Sequence, residues 1–521
     1  MSVELIKKWM DVTETTMGAS TQIVKEKDLI VPDGKPDMQK VLLLDGKIRM
    51  DQIDVQSNRI VYKGQIDVTI LYTPENQNFG IVKMTGTVPI EDFMIVDNLE
   101  SDDRVDFSFD IENMHYNILN ERKINIKAII ALHANITSKK EVSMVEDLST
   151  DVPVQKKTQI LDVINMMPIK EEKKIIKDEL TIPQNKPAIE EILKQNTTIV
   201  EEQIKRTDDA FVFNGMIEVT TLYKSNDDEN SLEVASHKIP FSGTVDIARD
   251  DNEVYLDCDL DVSPTYIQVN PDYDGEDRVI EIECIVTAKY TTYNNDKSEV
   301  LDDIYCPGKK VNIDSTTEPY MNLAFKENDV LPKKATLDTE GINPDTNKIF
   351  AVESTAKVED KVLDGSTLTV EGIVEVNVVY VSEEEKVSTY EDMLPFEISI
   401  NTNLPEGNYI INAEVTAKDM SVSSFNKDNI SLDYSLDYSI NVYEQKEIKI
   451  IEDISFEDMS KEELSAYPSI IVYTVKAGEN LWDLAKRFNT TVEEIAEVNE
   501  FDTSYQPKSG EKVIIIKKTK F

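Results

Sequence analysis

Apolar and polar residues alternate with a period of two through most of this chain. In "GQIDVTILY" the side chains Ile66, Val68 and Ile70 fall on one side, so one face of the segment meets a core and the other meets solvent. Valine, isoleucine, threonine and tyrosine dominate such stretches, which predicts strands. Further alternating runs, "INIKAIIAL", "IEIECIVTAKY" and "ISLDYSLDYSINVY", bring more strands to the same core. The pattern predicts a mainly β protein built of antiparallel sandwiches or barrel-like sheets.

The pattern also repeats. "VYKGQIDVTILY" (61–72), "VFNGMIEVTTLY" (212–223) and "TVEGIVEVNVVY" (369–380) align without a gap, matching Gly64 with Gly215 and Gly372, and Tyr72 with Tyr223 and Tyr380. Upstream prolines (Pro32, Pro183, Pro332), downstream prolines (Pro89, Pro240, Pro395) and a closing aspartate (Asp147, Asp303, Asp453) keep their order in each copy. Four marks in register describe a triplicated body of three β-sandwich-like repeats. We place them at residues 1–150, 151–305 and 306–454. The shared glycine reads as a bulge or a close backbone approach, and the shared acid (Asp67, Glu218, Glu375) as a solvated outer-face residue. Copies one and two share Lys-Pro (35–36 and 186–187). The third has "LPKKATLDTEGI" instead, which predicts that it has lost whatever that segment does.

A different pattern begins after a polar linker at 455–468. Residues 469–521 read as strand, helix, helix, strand, with "IIVYTV" and "KVIII" as the strands. Asn480 and Asp483 form a capping box for the first helix, whose apolar stripe is Leu481, Leu484, Ala485 and Phe488. Thr491 caps the second, answered by Glu494, with Val492, Ile495, Ala496 and Val498 on its buried face. Trp482, one of two tryptophans, lies one position beyond Leu481. There an indole either presents itself to a partner or lids the small core.

Composition narrows the function. With 55 basic and 100 acidic residues the formal charge is −45, which repels phosphate backbones and makes nucleic acid an unsuitable partner. From Ser469 onward eight basic residues face eight acidic ones, so the deficit lies in the repeats. The start, "MSVELIKKWMD", has neither a signal nor an anchor pattern, and no run is long and apolar enough to span a membrane. That predicts a cytosolic protein; Trp9 in this segment either anchors a partner or packs on the first repeat. Three scattered cysteines suggest reduced thiols. Three histidines leave no metal or triad arrangement, and His133 reads as a half-buried sheet residue. No P-loop, nucleophile elbow or zinc-protease motif is present, so no cofactor, metal or catalytic residue is assigned.

The terminal segment resembles a LysM domain through Tyr473, Val475, Gly478, Leu481, Trp482, Leu484, Ala485, Thr491, Ile495, Asn499, Pro507 and Gly510. The resemblance implies a βααβ (α+β) fold with a shallow groove, between loops 478–480 and 502–508, of the kind that holds N-acetylglucosamine chains. Gly-Glu-Asn and Ser-Gly replace the usual Gly-Asp-Thr and Pro-Gly in those loops. The repeats resemble a domain family of unknown function, and the whole layout is similar to the SipL family of clostridial spore-coat morphogenesis proteins. That resemblance implies a non-catalytic adaptor in the mother-cell cytoplasm, peripheral at the outer forespore surface and part of the spore coat. It would bind the morphogenetic coat ATPase of the basement layer, and other coat proteins, through Gly478, Glu479, Asn480, Leu481, Trp482, Asn499, Tyr505 and Pro507. The alternative is a protein that binds peptidoglycan or N-acetylglucosamine of the spore cortex or wall.

Overall fold

A computed structural model describes residues 3–74, 80–207, 210–227, 231–246, 254–338, 348–381, 387–425, 429–467 and 469–516. Among these residues the body is three units of antiparallel strands. The first contains β1 (Glu4–Ile30), β2 (Met38–Gln56), β3 (Arg59–Pro74), β4 (Val82–Ile95), β5 (Arg104–Asn120) and β6 (Lys123–Ser149). Its two sheets run β2-β3-β4 and β1-β6-β5. The second contains β7 (Gln155–Met166), β8 (Lys170–Thr181), β9 (Ile189–Arg206), β10 (Ala210–Ser225), β11 (Leu232–Asp246), β12 (Val254–Pro271) and β13 (Asp277–Tyr305). Its sheets are β9-β10-β11 and a second in which β13 carries β12 along one edge and β7 and β8 along the other. The third contains β14 (Lys309–Asp338), β15 (Ile349–Asp364), β16 (Thr367–Val381), β17 (Val387–Asn401), β18 (Tyr409–Phe425) and β19 (Asn429–Asp458), paired β15-β16-β17 and β14-β19-β18.

Each pair of sheets closes on a core supplied by the period-two pattern. In the first unit Ile60, Tyr62, Ile66, Val68, Ile70 and Tyr72 of β3 meet Ile124, Ala128, Ile130 and Leu132 of β6. The body is therefore three sandwiches. His133 sits on β6 but is exposed rather than half-buried, because Leu132 and Ala134 take the core-facing positions on either side. The three thiols are free, with Cys284 and Cys306 buried.

The repeated marks converge in space. Gly64, Gly215 and Gly372 lie beside register shifts at Met50/Gln52, Asn214/Met216 and Val358/Asp360. On the other side the residues after the downstream prolines, Ile90, Phe241 and Phe396, pair with the glycines. Those prolines sit on the edge strands β4, β11 and β17, where a missing N–H is tolerated.

The Lys-Pro segment forms a lock in two units. Tyr72 donates its hydroxyl to the Pro36 carbonyl at 2.8 Å, and Tyr223 to Pro187 at 3.0 Å. Arg122 donates to the Val31, Pro32 and Lys35 carbonyls, and Arg278 to those of Pro183 and Lys186. In the third unit β14 continues through Pro332 to Asp338 as one strand against β19, so among the described residues Pro332 and the six residues after it lie in a strand where the other two copies turn.

The units pack around a common line. Leu43, Leu71, Leu193, Leu222, Phe350 and Val379 form one shared cluster. Lys194, 7% exposed, bridges Asp45 of the first unit at 3.1 Å and Glu353 of the third at 3.2 Å. Burial alone would pull its ammonium down, yet the two carboxylates hold it above its ordinary value. Beyond the sandwiches the long strands extend as ribbons, which gather Met10, Met144, Leu161, Val300, Tyr320 and Ile448, then Leu148, Ile304 and Ile454. Trp9 points outward from the first ribbon, 63% exposed.

Candidate functional site

After β19 comes α1 (Lys461–Ala466), capped by Ser460, and then β20 (Ile470–Thr474), α2 (Leu481–Phe488), α3 (Val492–Asn499) and β21 (Lys512–Ile516). Asn480 accepts from the Asp483 N–H while Asp483 accepts from the Asn480 N–H, so the capping box forms. Thr491 caps α3 by accepting from the Glu494 N–H. Leu481, Leu484, Ala485 and Ile495 close on Val475, just past β20, and on Val513 and Ile515 of β21.

The structure divides the sequence-nominated residues into three groups. Gly478 (φ +83°), Glu479, Tyr505 and Pro507 occupy two loops that are tied to each other by backbone bonds between Val475 and Gly510 and between Val475 and Glu511. Their polar groups are committed locally. Glu479 accepts from the Lys476 N–H, the Tyr473 hydroxyl and Arg487, while Tyr505 donates to Glu511 and stacks on Phe501 at 4.4 Å. Leu481, Asn480 and Asn499 serve the fold instead. Leu481 is 3% exposed. Asn499 donates to the Ile514 carbonyl at 2.6 Å and accepts from the Ile514 N–H at 2.8 Å, so its amide covers the outer edge of β21 as a further strand would.

Trp482 stands apart. Its indole N–H donates to Asp303 Oδ2 at 3.0 Å, and its ring meets Tyr305 edge-on at 4.8 Å between centroids. Lys486, one turn on, donates to both Asp303 oxygens at 2.7 Å, and Asn489 accepts from the Gly308 N–H at 2.8 Å. Residues at i, i+4 and i+7 share a helix face, so one side of α2 rests on the end of β13 and the turn into the third unit. Burial would raise the Asp303 carboxyl, but Lys486 and the indole hold it below the usual carboxylate range. Lys310 adds an ion pair to Glu463 of the tether at 2.5 Å.

Sequence reasoning found the repeated aspartate but not its role. Asp147, Asp303 and Asp453 all flank the same register shift in their ribbons. Only Asp303 is followed two residues later by an aromatic; the corresponding residues are Ser149 and Ser455. Tyr305 was the available signal.

A cavity of about 890 Å³ lies where the three units meet, lined by Asp106, Lys289, Asp259, Glu414 and Lys418 among others. Burial raises the Asp259 and Glu414 carboxyls. Among the described residues no group of three or more His, Cys, Asp or Glu side chains is placed to hold a metal, and no helix is long and apolar enough to cross a membrane.

Comparison with known families gives two matches to the family described as SipL, SPOCS domain, at residues 37–119 and 188–270, and one to the LysM domain at 473–515. Both SPOCS matches fall in the units that keep the tyrosine–proline corner. No curated protein and no solved structure matches the chain.

Proposed function

We propose that this chain, which matches the SipL SPOCS domain at residues 37–119 and 188–270 and the LysM domain at 473–515, is a sporulation-related protein and a non-catalytic adaptor of spore-coat assembly. Its LysM domain binds the morphogenetic ATPase of the coat's basement layer and promotes encasement at the forespore surface. The trunk spaces the module and contacts other coat proteins.

One observation favours a protein partner over a glycan. Four polar side chains of the two groove loops, Glu479, Asn480, Asp502 and Tyr505, are bonded within the module. A sugar groove needs such groups free to meet hydroxyls. Trp482, whose indole N–H is held by Asp303 and whose ring meets Tyr305, carries the apolar ring and single donor that suit a protein hot spot once that face is free.

The test is recovery of the ATPase by the full chain and by Trp482→Ala, with circular dichroism to verify the fold. A hot-spot indole is worth about 1–3 kcal/mol, so binding should weaken roughly 5- to 150-fold. Unaltered recovery would remove the assigned role of the α2 face. Saturable binding of N-acetylglucosamine oligomers by the full chain, with no ATPase capture, would favour the wall-binding alternative.

A further inference from the structure

We propose that the α2 face is held closed against the trunk, and that the partner gains access to it only by displacing a built-in seat. The inference rests on the reading of that face as the binding surface. The seat consists of Asp303, Tyr305 and the Gly308 N–H, and it takes up Trp482, Lys486 and Asn489. The indole that would fill a partner's pocket is thus already satisfied, by a carboxylate at its N–H and a phenol ring at its edge.

Three features make this a device with two states rather than a fixed domain junction. The contact uses one face of an eight-residue helix, the ring of Tyr305 packed against the module's core, and a few polar bonds, which are modest beside competing water and partner bonds. Every other buried member of that cluster, from Val475 to Ile515, belongs to the module itself, so withdrawing Tyr305 leaves the module's own core residues in contact with one another. The tether is itself pinned by Lys310 and Glu463, which keeps the module close to its seat and favours rebinding.

The seat is also singular. At the equivalent position of the first unit Asp147 pairs with Lys156 and is followed by Ser149, and in the third unit Asp453 is followed by Ser455. Neither offers an aromatic for the indole. A docked-to-open ratio on the order of ten would lower apparent affinity for the partner about tenfold, and relieving it would return that factor.

The experiment uses the full chain with Trp9→Phe, which leaves Trp482 as the single tryptophan. Tyr305→Ser installs the residue type of the other two units, and Asp303→Asn removes the charge while keeping the shape. Each should shift Trp482 emission to the red, speed amide exchange across residues 481–489, and tighten binding of the coat ATPase about 5- to 10-fold. Emission and exchange unmoved in both variants would overturn the seat. Exposure of Trp482 in either variant without tighter binding would overturn competition. The underlying reading fails separately: if Trp482→Ala binds the ATPase as the native chain does, the α2 face is not the binding surface. Loss of binding in Trp482→Ala with no gain in Tyr305→Ser or Asp303→Asn refutes the seat's control of access alone.

Discussion

Replacing the repeated glycine by alanine in each unit tests the fold at one repeat position with two different expected outcomes. A Cβ on Gly64 would lie 2.3 Å from the Arg49 carbonyl oxygen, and one on Gly372 would lie 2.1 Å from that of Lys357. Ordinary contact begins at 3.4 Å, so either strand pair would have to part by about 1 Å of its roughly 4.8 Å spacing. That strains one or two ladder hydrogen bonds at about 1 kcal/mol each and adds overpacking of about 1–3 kcal/mol. Alanine returns about 0.4–1 kcal/mol by restricting the unfolded chain. We expect Gly64→Ala and Gly372→Ala to lose about 2–4 kcal/mol. At Gly215 the nearest atoms are the Phe241 ring at 3.0 Å and the Val200 carbonyl oxygen at 3.2 Å. A ring can tilt and a few tenths of an ångström suffice, so Gly215→Ala should lose about 1 kcal/mol or less. Denaturant titration followed by circular dichroism reads all three midpoints. Equal losses at the three positions, or a greater loss at 215, would refute the close-approach argument.

Lys194→Met removes the cation shared by three units. Each ion pair is worth at most about 5 kcal/mol at an effective dielectric of 20, and after discounting for the two part-exposed carboxylates and for desolvation a net loss of about 1–3 kcal/mol is expected. Because the native pKa of Lys194 is raised, its contribution is complete below about pH 10.4 and is lost as pH rises through the higher native value, so the gap between native and variant midpoints should close only in strong alkali. Tyr72→Phe and Tyr223→Phe leave the Pro36 and Pro187 carbonyls one donor short and should cost about 1 kcal/mol each by denaturant titration. Tyr380→Phe, in the unit without the Lys-Pro turn, should cost less. For docking of α2 the sign is opposite to that of Lys194: Asp303 is depressed, so its contribution is present above about pH 3.9 and is lost as pH falls through the lower native value. Trp482 emission in the Trp9→Phe chain should therefore hold steady through neutral pH and shift red only in acid.

Much of the architecture was readable because it is local. Alternation of Ile60 through Tyr72 fixes which side of β3 is inside, and Asn480, Asp483 and Thr491 write the ends of α2 and α3 into adjacent residues. The glycine was identifiable as a close approach, though not its partner, since Arg49 and Lys357 lie on a neighbouring strand across a register shift. The Lys-Pro segment is a visible difference between copies. Its meaning depended on hydroxyls 36 residues away and on Arg122 and Arg278, which no period links to it. The candidate site was the least legible part. Trp482 stands out in the sequence, but a contact spanning 179 residues to Asp303 depends on how whole domains meet. Asn499, expected on the partner-binding face, also closes a sheet edge through its amide, which its sequence neighbours do not signal.

Three copies fused into one polypeptide differ from three identical subunits in one respect that bears on Tyr305. A homotrimer must furnish every equivalent place alike, so an aromatic added once would appear three times and recruit three tails. Fusion lets a single copy diverge. The ratio of one tail to one occupied place is then set by the gene itself, and no assembly step can alter it.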